Sequence, residues 1–383
     1  MLDHSAAFAR ALTNAQIVTP DGIVEGGLSI VDGRIEGVSQ ITDGQDMHGC
    51  YLVSGVVDVH TDHVERHTHP RIGVLWPALP ALLAYDAVVI SGGTTTVFDS
   101  LSVGASMQRQ ERRDLFAPLV ETLREAIAED LFRAEHLLHL RCEVSDPATP
   151  ALVNESVDFP ETRLISVMDH TPGDRQSPDV NKWFSHMVRD MEVSDDEGRR
   201  MMHELLERSR THGPRVRNAV TEAGRAANVP LMSHDDRTIA HVEEAVAEGC
   251  TISEFPTTLE AARHARKTGM AIVAGAPNFL RGGSQSGNVA VAELLSEGLV
   301  DVLASDYIPR SPLDAAFAIA KDPAQPYDLP QAMAMVSAGP AALTGLSDRG
   351  AIKEGMRADL VAVKLVGGQP VVQAVWRAGR RVF

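Results

Sequence analysis

The passage Gly55-Val-Val-Asp-Val-His60-Thr-Asp62-His63-Val-Glu65-Arg-His67 constrains this chain more than any other. An apolar run ends there in a dense set of metal-capable side chains. In an extended strand the side chains alternate with a period of two, so His60 and Asp62 are expected on one side. Imidazole nitrogen and carboxylate oxygen suit a catalytic divalent ion, and such a site keeps a position open for water. One His-x-Asp pair is weak on its own. The same strand-then-ligand pattern recurs along the chain.

Strand-like runs stand at Val56–His60, Thr94–Asp99, His136–Glu143, Arg163–His170, Pro230–His234, Cys250–Glu254, Ala271–Ala274 and Val300–Asp306. Nearly continuous apolar runs of this kind are what parallel strands buried on both faces look like. Helical patterns lie between them, at Asp114–Arg133, Ile239–Glu248, Leu259–Thr268 and Val289–Glu297. Such alternation predicts an α/β fold, a (β/α)8 barrel with catalytic groups at the strand C-termini, over residues 55–340. A doubly wound open sheet is the structural alternative. The long interval between His170 and Pro230 is expected to hold a loop and long helices acting as an active-site lid. Short strands and turns at both ends predict a small β-sandwich domain from residues 1–54 and 341–383.

Composition narrows the function classes. The 383 residues are 44% hydrophobic and 23% charged, which is ordinary for a soluble globular protein. Aromatics make up only 4% and the formal net charge is −17, against a nucleic-acid partner. An anionic substrate would have to meet locally positive groups. Cys50, Cys142 and Cys250 are far apart, which suits reduced thiols. Met1–Ala7 lacks the pattern of a secretory leader, and no apolar run is long enough to span a membrane. A cytoplasmic, homo-oligomeric enzyme acting on a small molecule is the expectation.

The strand ends carry His60 with Asp62, Asp99, Glu143, His170, His234 with Asp235 and Asp236, Glu254, and Asp306. Each is costly at a buried strand end unless it binds an ion, pairs or meets solvent in a pocket. Taken singly, each reads as a solvated or capping residue; together, at the same ends of successive strands, they read as a metal centre. One or two divalent ions would acidify a water molecule there, with zinc the leading choice and manganese or iron open. Glu143 suits a bridging carboxylate, and Asp306 could ligate the ion and act as general base. His234 is a catalytic candidate as well as a ligand, with Asp235 as its orienting partner.

A second cluster is Gly275-Ala-Pro-Asn278-Phe-Leu-Arg281-Gly282-Gly283-Ser284-Gln-Ser286-Gly-Asn288. Its glycines let backbone amides approach an anion, Ser284, Ser286 and Asn288 add donors, and Arg281 adds charge. A helix starting near Asn288 is expected to present its positive end. The bland alternative is a flexible turn. Arg71, Arg175, Lys182, Arg237 and Arg310 each lie near a strand-end motif and are further cationic candidates, with Lys182 and Arg310 preferred as substrate contacts. His63, His67 and His69 crowd the first loop with no settled role.

These strings resemble the amidohydrolase superfamily. More narrowly they resemble the phosphonate-degradation hydrolases of the carbon–phosphorus lyase pathway, the PhnM family. The likeness is carried by His60-Thr-Asp-His-Val-Glu-Arg-His67, His139-Leu-Arg-Cys-Glu143, Met168-Asp-His-Thr-Pro-Gly173, Ser233-His-Asp-Asp236, Glu254-Phe-Pro-Thr-Thr258, Gly275–Asn288 and Ser305-Asp-Tyr307. It implies hydrolysis of α-D-ribose 1-methylphosphonate 5-triphosphate to the 5-phosphate and diphosphate. By motif it assigns His60, Asp62, Glu143, His170, His234 and Asp306 to the metal centre. Asp62 stands where the superfamily usually has a second His, Glu143 replaces its carbamylated Lys, and His63 sits where the narrower family commonly has Asn. Cleavage of a cyclic amide or amidine C–N bond is the rival chemistry, and a non-catalytic assembly role is the rival class.

Overall fold

Side-chain parity along eight parallel strands builds the interior of this molecule. The computed structural model describes residues 11–71, 73–105, 110–284 and 286–383. The strands run Val56–Asp58, Thr94–Val103, Glu135–Glu143, Thr162–Met168, Leu231–His234, Ile252–Glu254, Ala271–Gly275 and Val302–Ala304, each paired in parallel with the next. The sheet closes where Thr61 and Asp306 form a parallel bridge, so the fold is a (β/α)8 barrel. One apolar layer fills its centre: Val57, Phe98, Leu137, Leu164, Met232, Ile252, Val273 and Val302, one from each strand.

Two residues further along the same inward face, the layer turns polar. Leu137 is followed by His139, Arg141 and Glu143; Leu164 by Ser166 and then His170; Met232 by His234; Ile252 by Glu254; Val302 by Ala304 and Asp306. Alternation alone therefore stacks a polar ring on an apolar plug. The first strand breaks the rule. It ends at Asp58, shorter than the predicted run to His60. Asp58 Oδ1 accepts from the His60 N–H (3.4 Å) and the Ser305 N–H (3.0 Å), so the chain bends at Val59. His60 and Asp62 still face each other at 3.8 Å, but a bend, not strand alternation, aims them.

Opposite parity corrects one expectation. Asp99 follows the inward Phe98, so it points outward, and its strand continues to Val103. There it contacts His136 Nδ1 at 2.8 Å, while His136 Nε2 lies 3.4 Å from Asp86 on the helix Ala78–Ser91. Asp99 belongs to a buried carboxylate–imidazole–carboxylate stack between barrel and helix, away from the strand-end ring.

The predicted lid is a structural element instead. Helices Val180–Met191 and Asp195–Ala226 occupy the interval after His170. The second packs on the fourth and fifth strands, with Val216 and Val220 fully buried. Pro214 sits within it without ending it.

The two ends of the chain build one mixed eight-stranded sheet. Ala11–Thr19 pairs antiparallel with Gly22–Val31 but parallel with Tyr51–Ser54, which in turn pairs with Leu360–Val366. Leu12, Ile17, Leu28, Ile35, Leu52, Leu360 and Trp376 share one core, so the sheet curls around its own interior. Residues 341–343 lie in the helix Ala338–Leu343, whose Ala341 joins the barrel's central layer. Met1–Ala7, read above for a leader, lies outside the described residues. No described helix is long and apolar enough to cross a membrane.

The buried stack gives the fold a pH dependence. Burial opposes charge on His136, but Asp99 and Asp86 outweigh it and raise its pKa from 6.5 to about 9. Its contribution is complete below the unfolded value of 6.5 and is lost as pH rises through about 9. Chemical denaturation should show the folding free energy falling across that window. His136→Gln should cost about 3–5 kcal/mol at pH 6 and flatten the slope, because it strands the buried Asp99, while Asp86 keeps Arg133 and the Ala134 N–H. An unchanged slope in the variant would refute the assignment.

Candidate active site

The polar ring at the barrel mouth is one continuous string of contacts. Glu143 Oε2 lies 2.7 Å from His170 Nδ1, and Ser145 Oγ donates to Glu143 Oε1 at 2.9 Å. The His170 and His234 rings pack edge to face at 5.8 Å. His234 Nδ1 and His60 Nδ1 each reach one oxygen of Glu254 at 2.6 Å. His60 Nε2 faces Asp62, which pairs with the Arg141 guanidinium. Asp306 closes the circle through its backbone: its N–H donates to the His60 carbonyl (3.0 Å), and the Asp62 N–H donates to its carbonyl (2.7 Å).

Three residues turn the chain at this mouth in the left-handed region: Asp235 (φ 59), Phe255 (φ 55) and Asp306 (φ 51). Non-glycine residues pay for that conformation, and Asp tolerates it better than most. Asp235 and Phe255 stand directly after a strand end, where they re-aim the preceding side chain, and Asp306 stands two residues after one. Gly275 lies opposite, where a Cβ would meet Asp306 Oδ2 at an ordinary contact distance of 3.7 Å.

Electrostatics follow from burial. Burial and the neighbouring Asp62 push the Asp306 carboxyl up to about 6. Burial disfavours charge on His234, yet Asp235 and Glu254 raise it to about 10. Glu254 is held well below the carboxylate range, because His60 and His234 outweigh its burial. Burial drives His139 down to about 3.

The residues present fit a divalent cation. Asp235 Oδ2 lies 3.2 Å from His234 Nε2 but makes no hydrogen bond, although it is buried. With Nδ1 turned to Glu254, His234 presents Nε2 to a buried carboxylate, so the contact calls for positive charge: a proton on the free imidazole, or an ion in its place. A positive ion shared between them resolves that contact. Donor atoms of His170, His234 and Asp235 lie within 4.8 Å of one another, as do those of His60, His139 and Glu254.

An open cavity of about 110 Å³ joins this ring to the glycine-rich segment. Asp235 and Asp306 lie at one end, and Arg281, Gly283, Ser284, Ser286 and Asn288 line the wall. Gly282, between them, caps a helix in the left-handed region (φ 76). That helix, Ala276–Arg281, was not legible as one, because its Gly-Ala-Pro start read as loop. No helix starts at Asn288, contrary to expectation: Val291–Ser296 begins three residues on and spans six. The Asn278 side chain holds the intervening backbone, accepting from the Val291 N–H and donating to the Val289 carbonyl. The cradle therefore rests on side chains and loop amides.

Other predicted groups lie elsewhere. Arg310 pairs with Asp314 at 2.9 Å and donates to the Pro370 carbonyl, tying the barrel to the terminal sheet. Lys182 sits exposed on the helix Val180–Met191. Arg175 is buried, bonding Asp236 at 2.5 Å and Glu244 at 2.9 Å. Arg71 is exposed, and Arg237 lends its carbonyl to the Thr258 hydroxyl. His63 is buried with Nε2 unpartnered, and burial lowers it to about 4. His67 packs on Tyr85, and His69 caps the helix Val64–Thr68. Sequence reasoning passed over Arg141, His139 and Ser166, and left Glu254 without a role. Parity was the available signal, since each lies an even number of positions beyond an inward apolar residue.

Comparison with known proteins agrees with this geometry. The model of the Amidohydrolase family matches residues 180–383. A curated relative, alpha-D-ribose 1-methylphosphonate 5-triphosphate diphosphatase of Escherichia coli (strain K12), is 38% identical over 97% of this chain and 100% of its own length. The chain belongs to the amidohydrolase family. Among solved structures, it resembles N-isopropylammelide isopropylaminohydrolase from Burkholderia multivorans (TM-score 0.63, 15% identity, 98% of each chain). It also resembles N-acetylglucosamine-6-phosphate deacetylase from Thermotoga maritima (TM-score 0.58, 15% identity, 97% of this chain and 99% of that one). At such identities these two speak for the fold alone.

Arg175 pins the loop after the fourth strand to the chain just past His234. Arg175→Ala leaves Asp236 and the partly exposed Glu244 without it, and should cost about 3 kcal/mol in urea denaturation. Limited proteolysis should then cut within 171–179 where the wild type resists. Equal resistance in the two proteins would discard the clamp.

Proposed function

We propose that this chain is a metal-dependent hydrolase. It cleaves α-D-ribose 1-methylphosphonate 5-triphosphate to the 5-phosphate and diphosphate. The observation that carries the reading is one cavity with Asp235 and Asp306 of the polar ring at one end and the Arg281–Asn288 wall at the other. The 38% identity to the diphosphatase over nearly the whole chain supports it.

In this reading His60, Asp62, Glu143, His170, His234 and Asp306 hold one or two divalent ions, with Asp235 facing the same space. Zinc suits the mixed nitrogen and oxygen donors, with manganese and iron as alternatives. When bound, the ion would supply Lewis acidity and make a water molecule easier to deprotonate. Asp306 then takes the proton as general base. Phosphoryl transfer needs chiefly positioning and charge neutralisation. Arg141 brings a fixed positive charge to the floor between Asp62 and Asp306, and Arg281 brings one to the wall. Ser284, Ser286 and Asn288, with the amide of Gly283, donate to the leaving diphosphate. His234 orients the reacting group through the face opposite Glu254. The same reading makes the enzyme cytoplasmic and homo-oligomeric, which light scattering after size exclusion tests in part.

The rival chemistry, C–N cleavage in a cyclic amide or amidine, uses the same ring but has no need of the wall. Phosphorus NMR of the triphosphate incubated with zinc-loaded protein should show diphosphate and the 5-phosphate. Asp306→Asn keeps the left-handed backbone while removing the base, and should lower kcat at least about 100-fold. Chelation should abolish turnover, with zinc or manganese restoring it. Absence of a diphosphate signal from the loaded wild type would refute the assignment.

A further inference from the structure

We propose that Glu254 is a positioning residue that keeps a hydrogen on Nδ1 of both His60 and His234, and so turns Nε2 of His60 toward Asp62 and Nε2 of His234 toward Asp235. The proposal rests on the reading of these two histidines as ion ligands, but its test does not.

Glu254 stands at the end of the sixth strand and is fully buried. Its two oxygens are divided between two partners from distant strands: Oε1 meets His60 Nδ1 and Oε2 meets His234 Nδ1, both at 2.6 Å. Ser166 Oγ adds a third donor to Oε2 at 2.7 Å. An ionised carboxylate only accepts, so each Nδ1 must carry a hydrogen, and each Nε2 is the nitrogen left to face an ion. The two rings are nearly parallel, 14° apart with centroids at 5.7 Å, as expected of two imidazoles hung from one carboxylate. Phe255 packs edge-on against both, at 4.8 and 5.6 Å, and its left-handed backbone (φ 55) lets the chain place Glu254 and that ring at the same site.

This geometry also excludes an alternative. His60, His139 and Glu254 lie close enough to be read as an ion seat of their own. Both Glu254 oxygens are already engaged, however, and His139 is spent on the Val59 carbonyl (2.9 Å) and Ser166 (2.5 Å). The ring therefore has an outer layer, Ser166 and Glu254, and an inner layer that presents imidazole nitrogen. A carboxylate behind a ligating imidazole raises its basicity and fixes its direction, and losing one commonly costs 10–100-fold in affinity. Here one carboxylate does this for two imidazoles.

The test is nitrogen-15 NMR of the histidine side chains in the full-length, ion-free protein, together with zinc titration. The wild type should show His60 and His234 each with a hydrogen on Nδ1, whether the ring is neutral or charged. In Glu254→Gln the amide can accept from one ring only and must donate to the other, so one of the two should switch to the Nε2–H form. Zinc affinity should fall about 10–100-fold with the unfolding transition otherwise cooperative. The wild-type spectrum decides the matter even if the variant fails to fold, and does so whether or not zinc binds. A bare Nδ1 on either histidine in the wild type would overturn the proposal, as would wild-type zinc affinity in Glu254→Gln. X-ray absorption on the zinc-loaded protein showing two oxygen ligands from Glu254 would overturn it too.

Discussion

The closure of the barrel between its first and last strands is the constraint on which the site depends. Both strands are short, and at their lower ends a segment from elsewhere intervenes: the Val57 N–H donates to the Val336 carbonyl, and the Leu303 N–H to that of Met335. What joins them is the Thr61–Asp306 bridge with the Asp58 carboxylate taking the Ser305 N–H. Backbone hydrogen bonds of this sort contribute about 1 kcal/mol each. The residues that seal the barrel are thus neighbours of those that face the cavity, and any slip of the seam would move His60, Asp62 and Asp306 together.

Above that seam the chain gathers more buried ionisable groups than a stable interior needs. Glu143, Glu254, His60, His139 and His234 are each almost wholly buried. Desolvation penalises every charge among them, and pairing offsets the penalty only where partners are correctly placed. The outer contacts are well placed, at 2.6 to 2.7 Å from Glu254 to its imidazoles and from Glu143 to His170. The inner ones are not: Asp235 Oδ2 is orphaned, and His60 Nε2 stands 3.8 Å from Asp62. Imidazoles held from behind, with carboxylates facing them in front, describe a site prepared for positive charge.

The terminal sheet acts on the opposite end of the barrel. The Gly55 N–H donates to the Asp359 carbonyl, and Arg349 reaches Thr96 at 3.0 Å and Glu135 at 2.8 Å, from one unit to the other. Arg377 donates to the Ala134 carbonyl at 2.9 Å. These clasps fall at the starts of the first three strands, so the sheet anchors the end of the barrel that carries no chemistry.

The sequence by itself determined the eight strands, because runs buried on both faces cannot hide their apolar character. It also determined which strand ends carry imidazole and carboxylate, since period-two alternation is a local property. Asp99 and the bend at Val59 show its limit: a face is read correctly only if the parity of the strand is known, and parity is set against the central layer. Tertiary structure alone decided which cations face the cavity. Arg141 was hidden inside an apolar strand, while Arg175 and Arg310 found carboxylates from distant segments. Long, flexible side chains choose partners by proximity in the fold, and neighbours along the chain do not fix that choice. The division of Glu254 between His60 and His234, 194 and 20 positions away, belongs to the same class.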